Sequence, residues 1–166
     1  MSNEIPYKGQ LVDRSEIVRL LETCDFFKGF QKDYIQKIAD LCQVESYAAG
    51  DHIFQQGAKE DRIYIVAQGN VFLERSLDLG TRKGSAVIGM LGKGRFFGCW
   101  STLLDEKHTP MCSAVCLKPT RVLVIKGPDL RQIMLDNTEL GFNVLQRLCF
   151  LLRDRLKGAY KAMENI

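Results

Sequence analysis

Ile17, Leu20 and Leu21 follow Ser15 at helical spacing, and Tyr34, Ile35, Ile38, Leu41 and Cys42 repeat that period farther on. The start of the chain therefore predicts two short helices, joined through the aromatic stretch Phe26, Phe27 and Phe30. From Val44 the period changes to two, punctuated by glycines at 50, 57, 69, 80, 84, 89, 92, 94 and 98, the rhythm of many short antiparallel strands. Ile63, Ile65 and Ala67 share one strand face while Tyr64 and Val66 share the other, and a strand apolar on both faces belongs in the middle of a sandwich or barrel. Val71 and Leu73 follow a Gly69-Asn70 pair that suits a tight hairpin. Asp78 to Gly84 reads as a polar loop, and Ala86 to Leu91, Cys112 to Leu117 and Arg121 to Ile125 supply further strands. About seven or eight strands at this spacing predict a mainly β fold, a jelly roll of two packed antiparallel sheets with helices at both ends.

Pro128 opens a helix at a first-turn position, Leu130, Ile133 and Met134 carry its apolar face, and Asn137-Thr138 interrupts it before a longer helix. On that last helix Leu145, Leu148, Leu152, Leu156, Ala159 and Met163 step by three or four, which predicts the seam of a homodimer. Val144, Phe150 and Leu151 widen the stripe and are expected to pack on the strands of the same chain. The chain divides into a helical lead over 1–43, a strand region over 44–126 and closing helices over 127–166. With 166 residues, these parts are expected to form one domain.

Composition narrows the function classes. Hydrophobic residues make up 46% and charged residues 26%, the mixture of a folded globule rather than a disordered or collagen-like chain. The net charge of +3 is too small to serve as an electrostatic footprint on nucleic acid. No apolar run reaches the ~18 residues of a membrane span and the N-terminus has no apolar leader, so no membrane association and a cytoplasmic location are expected. Cys24, Cys42, Cys99, Cys112, Cys116 and Cys149 include no CxxC pair and read as reduced thiols.

Gly50 to Gly69, GDHIFQQGAKEDRIYIVAQG, resembles the first half of the cyclic nucleotide-binding domain, whose pattern is GDxIFxxGxxxDxxYxVxxG. The match falls on Gly50, Asp51, Ile53, Phe54, Gly57, Asp61, Tyr64, Val66 and Gly69. The residues themselves agree: the glycines close turns between strands, and Asp51 and Asp61 are placed to bond nearby backbone N–H groups. The resemblance runs from near Phe26 to the final helix and implies a catabolite-activator-like β-roll flanked by helices. It also implies a phosphate-binding cassette over residues 94–115, of the form GxxFGE followed by RxA, for cyclic AMP or cyclic GMP. Gly94, Phe97 and Gly98 match it, but Cys99 stands where the family has the glutamate that holds the ribose hydroxyl. TPMCSAV, Thr109 to Val115, looks like the family's TPRxAxV and places Met111 at the arginine that pairs with the cyclic phosphate. The loop Leu104 to His108 is about two residues longer than the commonest family spacing. By the resemblance, the ligand-contacting residues are Phe97, Gly98, Cys99, Trp100, Ser101, Met111, Cys112 and Ser113.

Both charged ligand contacts are thus missing. An arginine-phosphate hydrogen bond contributes about 1.5 to 3 kcal/mol, and a buried phosphate left without its cation costs about 3 to 5 kcal/mol. With the glutamate contact gone as well, binding is expected to be weaker by about a thousandfold. What remains is a short helix, Cys99 to Leu103, with free N–H groups. The hydroxyls of Ser101 and Ser113 remain too, with Arg95, Lys107 and His108 near in sequence.

Other candidates favour plain structural roles. Trp100 can stack on a base but reads as a core anchor. Cys112 and Cys116, about 13 Å apart at strand rise, exceed disulfide reach and pack with Ala114. Cys99 combines the low pKa of a helix N-terminus with the inertness of burial, and burial is the expected outcome. His52 and His108 form no ligand pair, and no nucleophile constellation can be assembled, so neither a metal site nor catalysis is expected. Arg147, Arg153, Arg155, Lys157 and Lys161 read as a solvated helix face. Transcription regulators of the family continue into a helix-turn-helix, for which the sequence ending at Ile166 leaves no room, so DNA binding through that motif is not expected unless the chain is a fragment. The expected function is a non-catalytic sensor with a degenerate pocket for a weakly bound cyclic nucleotide or another small anion. It would signal through the last helix to a protein partner or a second copy. The alternatives are an interaction scaffold with a vestigial pocket and a truncated transcription regulator.

Overall fold

The computed structural model describes residues 13–78, 80–106 and 109–163, except for the side chains of Ala159, Ala162 and Met163. Lys107, His108 and the seam positions Ala159 and Met163 therefore lie outside the description given below.

The lead consists of α1, Arg14–Thr23, and α2, Lys32–Leu41. Asp13 rather than Ser15 caps α1: its carboxylate accepts from the Ser15 N–H at 3.4 Å and from the Ser15 hydroxyl. An acceptor that is also an anion suits the positive end of the helix, which draws Ser15 into the first turn. Between the helices Phe26 stacks on Phe96 with centroids 3.8 Å apart, while Phe27 meets Phe26 and Phe30 edge-on, fastening the lead to the strands.

Eight strands follow among the described residues: β1 Gln43–Tyr47, β2 His52–Phe54, β3 Arg62–Gln68, β4 Val71–Asp78, β5 Lys83–Leu91, β6 Phe96–Gly98, β7 Ser113–Cys116 and β8 Thr120–Lys126. They form two antiparallel four-stranded sheets, β1-β8-β3-β6 and β2-β7-β4-β5, which bears out the predicted jelly roll. The first sheet separates two apolar cores. Its outer face gives Ile63, Ile65, Leu123 and Ile125 to a core shared with the helices, and its inner face gives Tyr64, Val66, Val122 and Val124 to the core inside the roll. That is why β3 is apolar on both faces, and each of its residues from Ile63 to Val66 is fully buried.

Three strand expectations need correction. Gly69-Asn70 is a corner and not a hairpin, since β3 and β4 lie in different sheets. The corner is held from outside its own strands, where the Leu117 N–H donates to the Asn70 carbonyl at 3.0 Å. The polar loop is shorter than predicted, because Leu77 pairs with Gly84 and Asp78 with Lys83 at the end of a β4–β5 hairpin that projects into solvent and has no core face to require apolar residues. For the same reason Gly84 and Gly89 are not turn residues but lie within β5, Gly89 opposite Leu73.

The chain closes with α3, Gly127–Asp136, which has Pro128 in its first turn, and α4, Thr138–Met163. Asn137 ends the former and starts the latter, its Oδ1 accepting from the Leu140 N–H at 2.9 Å. Leu140, Val144 and Leu148 are buried at steps of four, and Leu151 and Leu152 pack half-buried on the same core. The predicted seam therefore divides: Leu148 and Leu152 belong to the chain's own core, whereas Leu145 and Leu156 are exposed. Phe150 is also exposed rather than packed on the strands, because it lies two positions past Leu148 and points away from the buried line. Arg147 does not belong to a solvated face. It donates to the Lys28 carbonyl at 2.6 Å with its guanidinium 5.9 Å from the Phe30 ring, clamping α4 to the lead. Among the described residues no helix is long and apolar enough to cross a membrane.

Candidate functional site

The cassette begins where β6 leaves β3. Gly98 pairs with Ile63 at φ +111°, and a Cβ there would stand 2.6 Å from the Arg62 carbonyl oxygen and 2.8 Å from the Tyr64 ring. Only glycine allows this approach, and it lets the Cys99 N–H donate to the Arg62 carbonyl at 2.9 Å. The predicted short helix is a single 3-10 turn, Trp100–Leu104, locked by the Thr102 hydroxyl donating to the Cys99 carbonyl at 2.8 Å. Ser101 is buried within it, and its hydroxyl has no hydrogen-bond partner among the described residues.

The predicted site residues do not all converge. Phe97 lies inside the roll with its ring 5.2 Å from Tyr64 and 6.1 Å from Phe54, whereas Trp100 packs half-buried against the helical core on the other side of the first sheet. Met111 is 62% exposed in the bend before β7. Ser113 is tied to the β2 side by its hydroxyl, which accepts from the Gln56 N–H at 2.9 Å, while Gln56 Oε1 accepts from the Ser76 N–H at 2.8 Å. Gln56, absent from the predicted site, thus fastens the second half of the cassette to β4. Arg95 is not available as the sequence order suggested, because it is paired with Asp25 at 3.3 Å. Of the two turn aspartates, Asp51 accepts from the Ala48 N–H at 2.7 Å as expected, but Asp61 acts through its backbone, its carbonyl accepting from the Gly127 N–H at 2.7 Å.

Charge is distributed unevenly around the cassette. Glu60 is nearly buried and holds Arg62 through Nε at 2.9 Å, while Arg62 also reaches Glu45 at 3.3 Å and lies 5.5 Å from the Tyr64 ring. Cys99 sits next to this acidic group. Burial first, then Glu60 and Asp61, push its thiol up to about 12, overriding any lowering by the following turn. The Cys112 thiol is also raised by burial, but Arg155 and Arg75 oppose the rise. Cys99 also feels Cys112, which brings the two halves of the cassette within electrostatic reach of each other.

A raised thiol pKa has a measurable consequence. The neutral thiols of Cys99 and Cys42, both pushed up to about 12, favour the folded state fully below their unfolded value near 8.5 to 9. Stability should therefore hold level up to about pH 8.5 and fall as the pH rises toward 12, as unfolded thiols ionise first. In the folded protein at pH 8, iodoacetamide should modify the exposed Cys149 while Cys99 stays unmodified, as read by peptide mass spectrometry. Rapid labelling of Cys99 under those conditions would contradict the buried geometry.

Set beside known sequences, residues 44–137 match the profile of the cyclic nucleotide-binding domain. The chain belongs to the cyclic nucleotide-binding domain family. The chain is 33% identical over 130 residues to a Drosophila melanogaster cGMP-dependent protein kinase, isozyme 2 forms cD5/T2, a match spanning 78% of this chain and 14% of that protein. Among solved structures, Thermus thermophilus catabolite activator protein is similar with a TM-score of 0.69 and 29% identity, over 84% of this chain and 61% of that one. A cyclic nucleotide-binding domain from Methylobacillus flagellatus shares the fold with a TM-score of 0.76 over 92% of this chain and 83% of that one, at 21% identity. In this cyclic nucleotide-binding domain β6 ends at Gly98, Cys99 and the 3-10 turn follow it, and Met111 stands in the bend before β7.

Proposed function

We propose that this cyclic nucleotide-binding domain is a non-catalytic regulatory module, acting in the cytoplasm, whose roll binds cyclic AMP or cyclic GMP only weakly. The carrying observation is the pairing of Gly98, at φ +111° with a 3-10 turn after it, with an uncharged thiol at 99 and an exposed methionine at 111. With the Gly98 turn present and both charges replaced, the rim of the roll suits a small anion without the bidentate grip that gives tight binding. Calorimetric titration with both cyclic nucleotides should give dissociation constants near the millimolar range, and submicromolar binding would overturn the reading.

The output in this reading is α4. Phe142, Leu145 and Leu156 are exposed and recur at steps of three and eleven, one line along the helix that a second copy can match. Ligand changes the helix only by the difference in its affinity for two helix positions. Leu145→Glu with Leu156→Glu leaves the buried line Leu140, Val144 and Leu148 untouched, so the variant should stay folded. Sedimentation should show a dimer becoming a monomer. An unmodified protein already monomeric at high micromolar concentration would remove self-association from the reading.

A further inference from the structure

Strand register places one arginine at the rim of the roll. Val71 pairs with Cys116 and Leu73 with Ala114, and these four residues contribute to the core inside the roll. Two positions farther along β4 on the same face is Arg75, one step past the last pair Glu74–Ser113, where the register runs on toward Cys112, the residue next to Met111. A second arginine arrives from the opposite direction. Leu151 and Leu152 of α4 pack half-buried on the protein's own core, and Arg155, four and three residues beyond them, is on the same side of the helix but exposed. Both side chains retain solvent contact, and neither makes a salt bridge or side-chain hydrogen bond among the described residues.

We propose that Arg75 and Arg155 form the anion-binding pair of this roll, standing in for the arginine absent at Met111 and joining α4 directly to a bound phosphate. This rests on reading the roll as the ligand chamber. The electrostatics of the cassette agree with it. The thiol at Cys112 is acted on by both guanidiniums, whereas the thiol at Cys99 is acted on by Glu60 and Asp61. The two ends of the cassette therefore keep opposite fields although neither of the family's charged side chains is present. Asp25, the acidic group that acts on Arg155, is itself held by Arg95 at 3.3 Å. Desolvation where the guanidinium lies against the body lowers the Arg155 pKa, while the residue as a whole stays exposed to an incoming anion. Because one arginine is on the roll and the other on the helix, an anion held by both favours the helix position in which Arg155 is close.

Two readouts test the pair. The first uses thiol alkylation at Cys112, where the thiolate forms a sulfur–carbon bond and iodide leaves. An anion site beside Cys112 should raise the rate with anionic iodoacetate relative to neutral iodoacetamide about fivefold over the ratio at exposed Cys149. Arg75→Gln, Arg155→Gln and the double variant should abolish that preference, and Lys157→Gln should not. The second is calorimetry with cyclic AMP, in which either arginine variant should weaken binding about tenfold. An iodoacetate preference that is absent, or unchanged in the double variant, overturns the pair. A preference that depends on both arginines, without cyclic nucleotide binding, upholds the anion site and instead refutes the cyclic nucleotide reading. Cyclic AMP binding that ignores both arginines refutes the pair and leaves that reading standing.

Discussion

Cys99→Glu combined with Met111→Arg should raise affinity for cyclic AMP by two to three orders of magnitude, on the order of 3 to 4 kcal/mol. The new arginine supplies up to two charge-assisted hydrogen bonds of about 1.5 to 3 kcal/mol each, less about 2 kcal/mol for ordering a long side chain at a position now 62% exposed. The single variants should not add up to the double. A glutamate at 99 enters a buried position already facing Glu60 and Asp61, so alone it takes up a proton and gains little. An arginine at 111 brings the cation that lets this glutamate ionise and hold a ribose hydroxyl. Met111→Arg alone should therefore give the larger single gain, Cys99→Glu almost none, and the double more than their sum in calorimetry. A double variant no tighter than the parent would mean that the cassette geometry does not present positions 99 and 111 to one ligand.

A large stability effect is expected at the corner between the sheets. Gly69 and Gly50 both have positive φ, +101° and +87°, so an alanine at either incurs the same left-handed penalty of about 1 to 2 kcal/mol. Their surroundings differ. A Cβ on Gly50 meets nothing within 4 Å, whereas one on Gly69 would stand 2.8 Å from the Pro119 carbonyl oxygen and collide with the Thr120 side chain. Thr120 is buried and its hydroxyl donates to the Lys118 carbonyl at 2.7 Å, so it cannot move aside without losing that bond. Overpacking of this kind costs a further 1 to 3 kcal/mol or so. Gly69→Ala should lose about 3 to 4 kcal/mol in urea unfolding and Gly50→Ala about half as much. Equal losses would show that the corner relaxes and that only the backbone conformation matters.

The strands of the roll could be read from the chain because burial on two faces leaves a plain mark, and the run Ile63 to Val66 names a central strand without help. The hairpin end at Asp78 and Lys83 left no such mark, since strands in solvent carry no apolar alternation. Sheet assignment at Gly69-Asn70 was out of reach for a different reason: the same two residues can turn a hairpin or a corner, and contacts with Pro119 and Thr120, some fifty residues away, decide which. On α4 the apolar stripe was visible, but its division between Leu148 and Leu145 depends on where the core ends. In the stretch read as a cassette, the glycines at 94 and 98 do stand at positive φ, +82° and +111°. The tie from Gln56 to Ser113 and the proposed roles of Arg75 and Arg155 left no mark in the chain, because each depends on register or helix phase from a distant part of it. Arg75 was the most accessible of the three, lying on the same strand face as Val71 and Leu73.

β3 and β8 are at once the floor of one core and the roof of the other. Between the core inside the roll and the core under the helices there is a single layer of backbone, with Tyr64 on one side and Ile63 and Ile65 on the other. A layer one residue thick has no slip plane in which a displacement can be absorbed. Any swelling of the inner core against this sheet must reappear as altered packing under the helices, and anything that presses on the helices changes the room inside the roll.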